Sequence, residues 1–148
     1  MVTCFLKETD QAVIPIYFLT AKSYRVWLSE KEESFQQWVH STGFKAKPAN
    51  FCLVPQKDGH LQCVLLGIED ENDFWSFGAL ARQLPEGVYS LLVSDFPSRD
   101  HYCRACLAWG LGAYQFSVYR EAEPIAQLLL SSNVNTDRLF HWVVIKKN

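Results

Sequence analysis

The spacing of apolar positions changes along this chain, and its most informative stretch is residues 97–119. The apolar side chains there recur at the spacing of one helix face: Cys103, Cys106, Leu107, Gly110, Leu111 and Tyr114. Ser98 is the expected N-cap of this helix. Gly110 and Gly112 lie in its interior, where a glycine costs about 1 kcal/mol relative to alanine. We therefore expect a second backbone to pass too close to this helix for a Cβ atom.

Two further helices are predicted between Thr20 and Gly43. Thr20 is a capping residue. The apolar stripe behind it is Tyr24, Trp27 and Leu28, repeated in the same phase by Phe35, Trp38 and Val39. One long helix would fit this phase, but the capping-box pattern Ser29–Glu32 favours a second helix starting there. Gly43 is the expected stop of that second helix.

Alternating or β-branched runs predict six strands. They are residues 2–6, 13–18, 51–54, 61–67, 88–93 and 126–130. Pro15 favours an edge position or a bulge in the second strand. Asp58-Gly59 lies between the third and fourth strands and predicts a hairpin.

Two more helices complete the pattern. One is capped within Asp70–Asp73, carries Phe74, Phe77, Leu80 and Ala81, and ends at Leu84–Gly87. The other begins at Thr136 or Asp137 and carries Leu139, Trp142 and Val143. Because strands and helices interleave throughout, we expect the α/β class, with a mixed β-sheet flanked by helices.

The composition of the chain argues against some classes of function. With 148 residues, 49% hydrophobic and 20% charged, the chain fits one folded domain. Its net charge is −2 with no run of lysine or arginine, which argues against nucleic acid as a partner. No apolar run approaches the ~20 residues of a membrane span, and Met1–Glu8 does not resemble a secretory signal. We therefore expect a cytoplasmic protein with five cysteine thiols and no membrane partner.

Cys103-Arg-Ala-Cys106 is the clearest candidate for chemistry. A redox motif needs its first cysteine at a helix N-terminus, where the helix dipole lowers the pKa of the thiol. Ser98 is the expected cap, so both cysteines lie about one turn inside the helix, and we favour core packing over redox activity. A structural zinc site would need four ligands, which one C-x-x-C motif does not supply.

The remaining candidates are each better explained without chemistry. His40, His60, His101 and His141 are scattered singly, and the acidic run Glu69–Asp73 is a solvated loop with a helix cap rather than a calcium loop. No G-x-S-x-G nucleophile motif is present, and Gly110-Leu-Gly112 is not a phosphate-binding loop. The five Trp and ten Phe mostly follow helical phase, so we expect them in the core. No catalytic, cofactor-binding or metal-binding residue is predicted.

Eight segments, in order along the chain, resemble the N-terminal domain of bacterial leucyl aminopeptidases, which are also called cytosol aminopeptidases. They are Leu19-Thr20-Ala21, Trp27-Leu28, Trp38 with Thr42–Ala46, Leu53–Pro55 with Asp58-Gly59, Val64–Ile68, Gly78–Leu80, Leu84–Tyr89, and Trp109–Phe116 with Tyr119. The most specific is the last, W-x-L-G-A-Y-x-F.

This resemblance implies an accessory, macro-domain-like three-layer domain over residues 1–132 of a metalloexopeptidase that removes N-terminal residues from peptides. Two divalent metals, zinc or manganese, would be bound by a catalytic domain that this chain lacks. The implied partners are that catalytic domain and the neighbouring subunits of a hexamer, with roles in assembly or active-site access. Residues 133–148 depart from the family pattern, and we expect a terminal helix or a truncated linker there. Asn135–Leu139 shares only three residues with the family's metal-binding motif, which we interpret as chance.

Two alternatives remain open. The resemblance to macro domains allows a module that binds a small molecule such as a nucleotide or ADP-ribose, although this is an argument from fold analogy. The third hypothesis is a redox protein that uses Cys103 and Cys106.

Overall fold

The computed structural model describes residues 5–119 and 126–131 of the chain. The described residues form six strands and four α-helices. In chain order these are β1 Phe5–Leu6, β2 Val13–Leu19, α1 Ala21–Ser29, α2 Glu33–Thr42, β3 Phe51–Pro55, β4 Leu61–Gly67, α3 Trp75–Gln83, β5 Gly87–Ser90, α4 Arg99–Tyr119 and β6 Ala126–Leu129.

The strands form one mixed sheet in the order β1-β6-β5-β2-β4-β3. Neighbouring strands are parallel except β3, which pairs antiparallel with β4. The edge position expected for Pro15 is wrong, because β2 lies between β5 and β4. The pairing with β4 starts only at Ile16, so the missing N–H of Pro15 breaks no ladder bond on that side.

Helices cover both faces of the sheet. Along β4, Val64 and Leu66 pack into the core beneath α3 and α4, whereas Cys63 and Leu65 pack into a second core beneath α1 and α2. This alternation follows from the two-residue period of a strand that is buried on both faces. The predicted α/β class with three layers is confirmed.

Local hydrogen bonds explain where α1 begins and where α2 ends. Ser23 N–H donates to Thr20 Oγ1 at 3.1 Å and Thr20 N–H donates to Ser23 Oγ at 3.0 Å, which is a capping box. Gly43 ends α2 in the left-handed conformation with φ 79°, as predicted. The capping box predicted at Ser29 is wrong. Ser29 is the last residue of α1, and its hydroxyl donates to the Val26 carbonyl at 2.7 Å.

The hairpin and the cap of α3 are also confirmed. Gly59 takes φ 92° in the β3–β4 turn, a conformation that glycine adopts without steric cost. Asp73 receives hydrogen bonds from the Ser76 N–H at 3.2 Å and the Ser76 hydroxyl at 2.7 Å, and α3 ends before Leu84.

The predicted strand 88–93 is too long. Its partner β6 pairs with β5 only as far as Ser90, where Leu129 lies opposite. Beyond that point the backbone curls into a 3-10 turn at Val93–Asp95, with the Phe96 N–H donating to the Val93 carbonyl at 3.1 Å. The last described strand ends at Leu129, and the terminal helix predicted from Thr136 lies outside the described residues.

Candidate functional site

The backbones of α3 and α4 approach each other closely where the two helices cross. A Cβ atom on Gly112 would lie 2.1 Å from the carbonyl oxygen of Gly78, and one on Gly78 would lie 2.7 Å from that of Ala108. Real Cβ atoms do not approach so closely, so glycine is required at both positions. The predicted close backbone therefore belongs to α3, and its packing explains the glycine without any ligand.

The buried face of α4 is rotated from the predicted one. The buried side chains are Tyr102, Ala105, Cys106, Trp109 and Ala113, whereas Cys103, Leu107, Leu111 and Tyr114 are only half-buried. The buried stripe is shifted by one residue toward the N-terminus relative to the predicted stripe, which corresponds to a rotation of about 100° around the helix axis. The crossing with Gly78 sets this rotation, because it turns the face containing Gly112 and Trp109 inward.

The structure does not support redox chemistry at the C-x-x-C motif. Cys106 is fully buried, and burial raises the pKa of its thiol to about 12. A reactive cysteine needs a lowered pKa and an accessible sulfur. Because α4 begins at Arg99, the helix N-terminus lies a full turn away from Cys103. Cys106 is therefore a core residue, as predicted.

The described histidines occupy three separate places. His40 is exposed at the end of α2, and His60 lies beside Asp58 in the hairpin turn, with Nδ1 3.3 Å from a carboxylate oxygen. His101 joins two loops, since its Nδ1 lies 2.6 Å from Ser98 Oγ and its Nε2 lies 3.2 Å from Asn72 Oδ1. His141 lies outside the described residues.

Metal binding receives no support within residues 5–119 and 126–131, where no three side chains of His, Cys, Asp or Glu could hold one ion. In the acidic run, Asp70 and Asp73 instead accept backbone hydrogen bonds, and Asp73 caps α3.

A groove of about 530 Å³ lies between the α1–α2 junction and the β3–β4 hairpin. Its aromatic lining consists of Tyr17, Trp27, Phe35 and Trp38, and its charged lining of Glu30, Lys31, Glu32 and Lys57. Cys63 lines the groove near the start of β4, where burial raises the pKa of its thiol to about 12 and keeps it neutral. The groove therefore combines an aromatic wall with charged side chains of both signs.

The aromatic side chains of this groove form a connected group. Trp27 lies 5.5 Å from the Tyr17 ring and 5.8 Å from the Phe35 ring, and the Lys31 ammonium lies 4.5 Å from the Trp27 ring centre. Trp38 donates its indole N–H to the Leu53 carbonyl of β3 at 2.9 Å, yet the residue is 44% exposed. The core position expected for Trp38 is wrong, as it is for Trp75, which is 68% exposed. Helical spacing alone does not distinguish a core stripe from the wall of a groove.

The position of the groove bears on the nucleotide-binding alternative. Open parallel sheets bind ligands outside the carboxyl ends of their strands. Gln62 and Cys63 place this groove at the opposite, amino end of β4. The groove therefore does not correspond to a nucleotide site of that kind.

Comparison with known proteins shows which protein family this chain resembles. Residues 14–131 match the family model described as the N-terminal domain of M17 aminopeptidases. The crystal structure of the cytosol aminopeptidase from Coxiella burnetii is 37% identical with a TM-score of 0.86, over 95% of this chain and 31% of that chain. No curated protein sequence matches this chain.

Two structures of the bottromycin maturation enzyme BotP show the fold alone. They are 17% and 18% identical, with TM-scores of 0.57 and 0.54. The first is a complex with Mn and aligns with 88% of this chain and 28% of that one, while the second aligns with 90% and 29%. This chain thus spans about a third of the length of each solved structure. Among the described helices, none is long and apolar enough to cross a membrane.

The family match over residues 14–131 contains all eight segments that resemble leucyl aminopeptidases and all four α-helices. The chain belongs to the M17 aminopeptidase family, of which it carries the N-terminal domain.

Proposed function

We propose that this chain is the non-catalytic N-terminal domain of a metal-dependent leucyl aminopeptidase. The whole enzyme would release N-terminal amino acids from peptides, with two zinc or manganese ions in a catalytic domain. The observation that carries this proposal is the match of residues 14–131 to the N-terminal domain model, together with 31% coverage of the Coxiella burnetii enzyme. Two-metal hydrolysis needs several carboxylates around one centre, and the described acids lie in separate loops and caps.

The role we propose for the domain is assembly or control of access to the active site. Its partners would be the catalytic domain and neighbouring subunits of a cytoplasmic hexamer. Exposed Trp75 and Leu92, 68% and 52% exposed, support a contact role, because large apolar side chains at a surface favour interfaces. We propose residues 1–132 as the domain and 133–148 as a terminal helix or linker, with 132–148 outside the described residues.

The test is an assay of the 148-residue chain with leucine p-nitroanilide in the presence of Mn²⁺ or Zn²⁺. We expect no hydrolysis above the metal-only rate, while the cytosol aminopeptidase from Coxiella burnetii serves as the positive control. Hydrolysis that co-purifies with the folded chain would refute the non-catalytic role.

The alternative of a nucleotide-binding module is tested separately by calorimetry with ADP-ribose. Since the groove lies at the amino end of β4, we expect no heat of binding at millimolar ligand. Saturable heat with one ligand per chain would favour this alternative over the accessory role.

A further inference from the structure

β3 is the last strand on one side of the described sheet, and the backbone groups along its outer edge have a known direction. Just before β3 begins, the Gly67 N–H of β4 donates to the Asn50 carbonyl at 2.8 Å. Residues of an antiparallel ladder alternate between those that bond to the partner strand and those that point away from it. Counted from this bonded pair, Phe51 and Leu53 direct their N–H and C=O groups away from β4.

Trp38 of α2 occupies part of this outer edge. Its indole N–H donates to the Leu53 carbonyl at 2.9 Å, which is the usual donor–acceptor distance of a backbone hydrogen bond. Because neighbouring strands lie about 4.8 Å apart and bond at this same distance, the indole nitrogen takes the place of an amide nitrogen of an added strand. No strand can bond to the Leu53 carbonyl in that direction while the indole remains there.

The sequence of β3 itself does little to prevent pairing. Phe-Cys-Leu-Val-Pro contains no charged residue, although charged side chains are a common protection of edge strands. Pro55 has no N–H and protects the end of the strand, but it does not cover Phe51 or Leu53. Two copies of β3 would meet no like-charge repulsion. They are also self-complementary in an antiparallel pair, because each outward residue offers one donor and one acceptor.

We propose that the hydrogen bond from Trp38 to Leu53 keeps the outer edge of β3 closed to a second copy of this chain. When the indole is removed, the β3 strands of two copies pair antiparallel through the outward N–H and C=O groups of Phe51 and Leu53. A second copy fits this edge because its own β3 is equally short and uncharged. The proposal goes beyond the accessory role and does not depend on it.

The test is analytical ultracentrifugation of the 148-residue chain over a wide range of protein concentration. Trp38→Phe retains an aromatic ring but removes the N–H donor, and we expect its dimer dissociation constant to be at least about tenfold lower than that of the parent chain. The matched control is Trp75→Phe, the same change at a tryptophan of α3 that is 68% exposed, and it should leave association unchanged. Equal association of the parent chain and Trp38→Phe would overturn the proposal.

Hydrogen exchange followed by NMR locates the contact. In the Trp38→Phe dimer, the amide protons of Phe51 and Leu53 should exchange more slowly than in the monomer, whereas those of Cys52 and Val54, which face β4, should be protected in both. Adding Leu53→Pro removes one outward N–H and no bond to β4, so it should restore the monomer.

Two results of the exchange experiment would refute the proposal. Faster exchange at Cys52 and Val54 in the associated variant would show that it associates by unfolding. An unchanged Leu53 amide in the dimer would place the interface elsewhere. Trp38→Leu, which also lacks the donor, serves as the second variant if Trp38→Phe does not fold.

Discussion

At the scale of single residues, the connection between α2 and β3 depends on unusual backbone conformations. Ala46 and Ala49 take φ 59° and 67°, which L-residues other than glycine rarely adopt. Hydrogen bonds hold this loop against the end of β4, from the Ala49 N–H to the Gly67 carbonyl at 3.0 Å and from the Gly67 N–H to the Asn50 carbonyl at 2.8 Å. A Cβ on Gly67 would lie 2.1 Å from the Lys47 carbonyl, so this packing requires glycine there.

Replacing Ala49 with glycine should stabilise the protein. The left-handed conformation costs a non-glycine residue about 1–2 kcal/mol, part of which glycine loses again through its more flexible unfolded state. We expect Ala49→Gly to raise the free energy of unfolding by about 0.5–1 kcal/mol, measured by urea denaturation. Ala108→Gly in the middle of α4 is the control, and it should lower stability by at least about 1 kcal/mol, because glycine is a poor helix former and the lost methyl group packs against the core. A loss of stability in both variants would contradict the argument.

Buried thiols should make stability fall at alkaline pH. Burial raises the pKa of Cys63 and Cys106 to about 12, whereas an unfolded thiol ionises near about 8.5. The raised folded-state pKa means that full stability is present below about pH 8.5 and is lost as the pH rises toward 12. Each thiol contributes a slope of about 1.4 kcal/mol per pH unit within this window.

Urea denaturation at pH 8 and pH 10 tests whether the free energy of unfolding falls as the pH rises. Cys106→Ala lowers stability at both pH values by creating a cavity, but the fall between them should be smaller than in the parent chain. An undiminished fall would show that Cys106 does not ionise on unfolding.

At the scale of elements, the crossing of α3 and α4 determines how one face of the sheet is covered. Gly78 and Gly112 bring the two backbones into contact, and this contact directs Trp109 and Tyr102 into the core. Tyr102 then accepts a hydrogen bond from the Ser131 N–H at 3.0 Å, which joins α4 to the end of β6. Gly78 and Gly112 weaken the two helices locally, but the close packing of α3 against α4 requires them.

Gly112→Ala should destabilise the protein despite the better helix propensity of alanine. The new Cβ would lie 2.1 Å from a backbone oxygen, so the helices would have to separate. We expect a loss of about 2–3 kcal/mol in the free energy of unfolding, at the upper end of overpacking effects. The control is Gly87→Ala, whose Cβ would meet only side chains at 3.5 Å or more and should cost less than about 1 kcal/mol. Equal losses would contradict the proposed role of the crossing.

At the scale of the whole molecule, one sheet supports two cores on its opposite faces. Leu66 packs beneath α3 and α4, and Leu65 packs beneath α1 and α2, although the two are neighbours in β4 and both are fully buried. Because both cores pack on the same strands, separation of those strands would disrupt both cores. We therefore expect the described part of the chain to unfold as one cooperative unit.

Leu65→Ala and Leu66→Ala should each lower the free energy of unfolding by about 2–5 kcal/mol. In both variants the urea transitions followed by tryptophan fluorescence and by far-ultraviolet circular dichroism should remain coincident. Val26→Ala, at an exposed position of α1, is the control and should change stability by less than about 0.5 kcal/mol. Separate transitions for the two signals would show that the two cores unfold independently.

The groove was not predictable from the sequence. Trp27 and Trp38 share one helical stripe, and such a stripe is usually buried throughout. In the structure the chain breaks between α1, which ends at Ser29, and α2, which begins at Glu33, so the two rings lie on separate helices and Trp38 stays 44% exposed. The same spacing along α4 predicted a buried Leu107 and Leu111, which the crossing with α3 leaves half-buried.

The sequence by itself determined the features that depend on interactions between residues close together in the chain. Thr20, Gly43, Asp58-Gly59 and Asp73 mark the ends of helices and the hairpin turn, because their capping bonds and backbone conformations act within about four residues. The alternation of strands and helices likewise predicted the α/β class. The tertiary structure alone decided which face of α4 is buried, where β5 ends, and which tryptophans remain exposed. These features depend on the approach of backbones and strands distant in sequence, and local spacing carries no information about that approach.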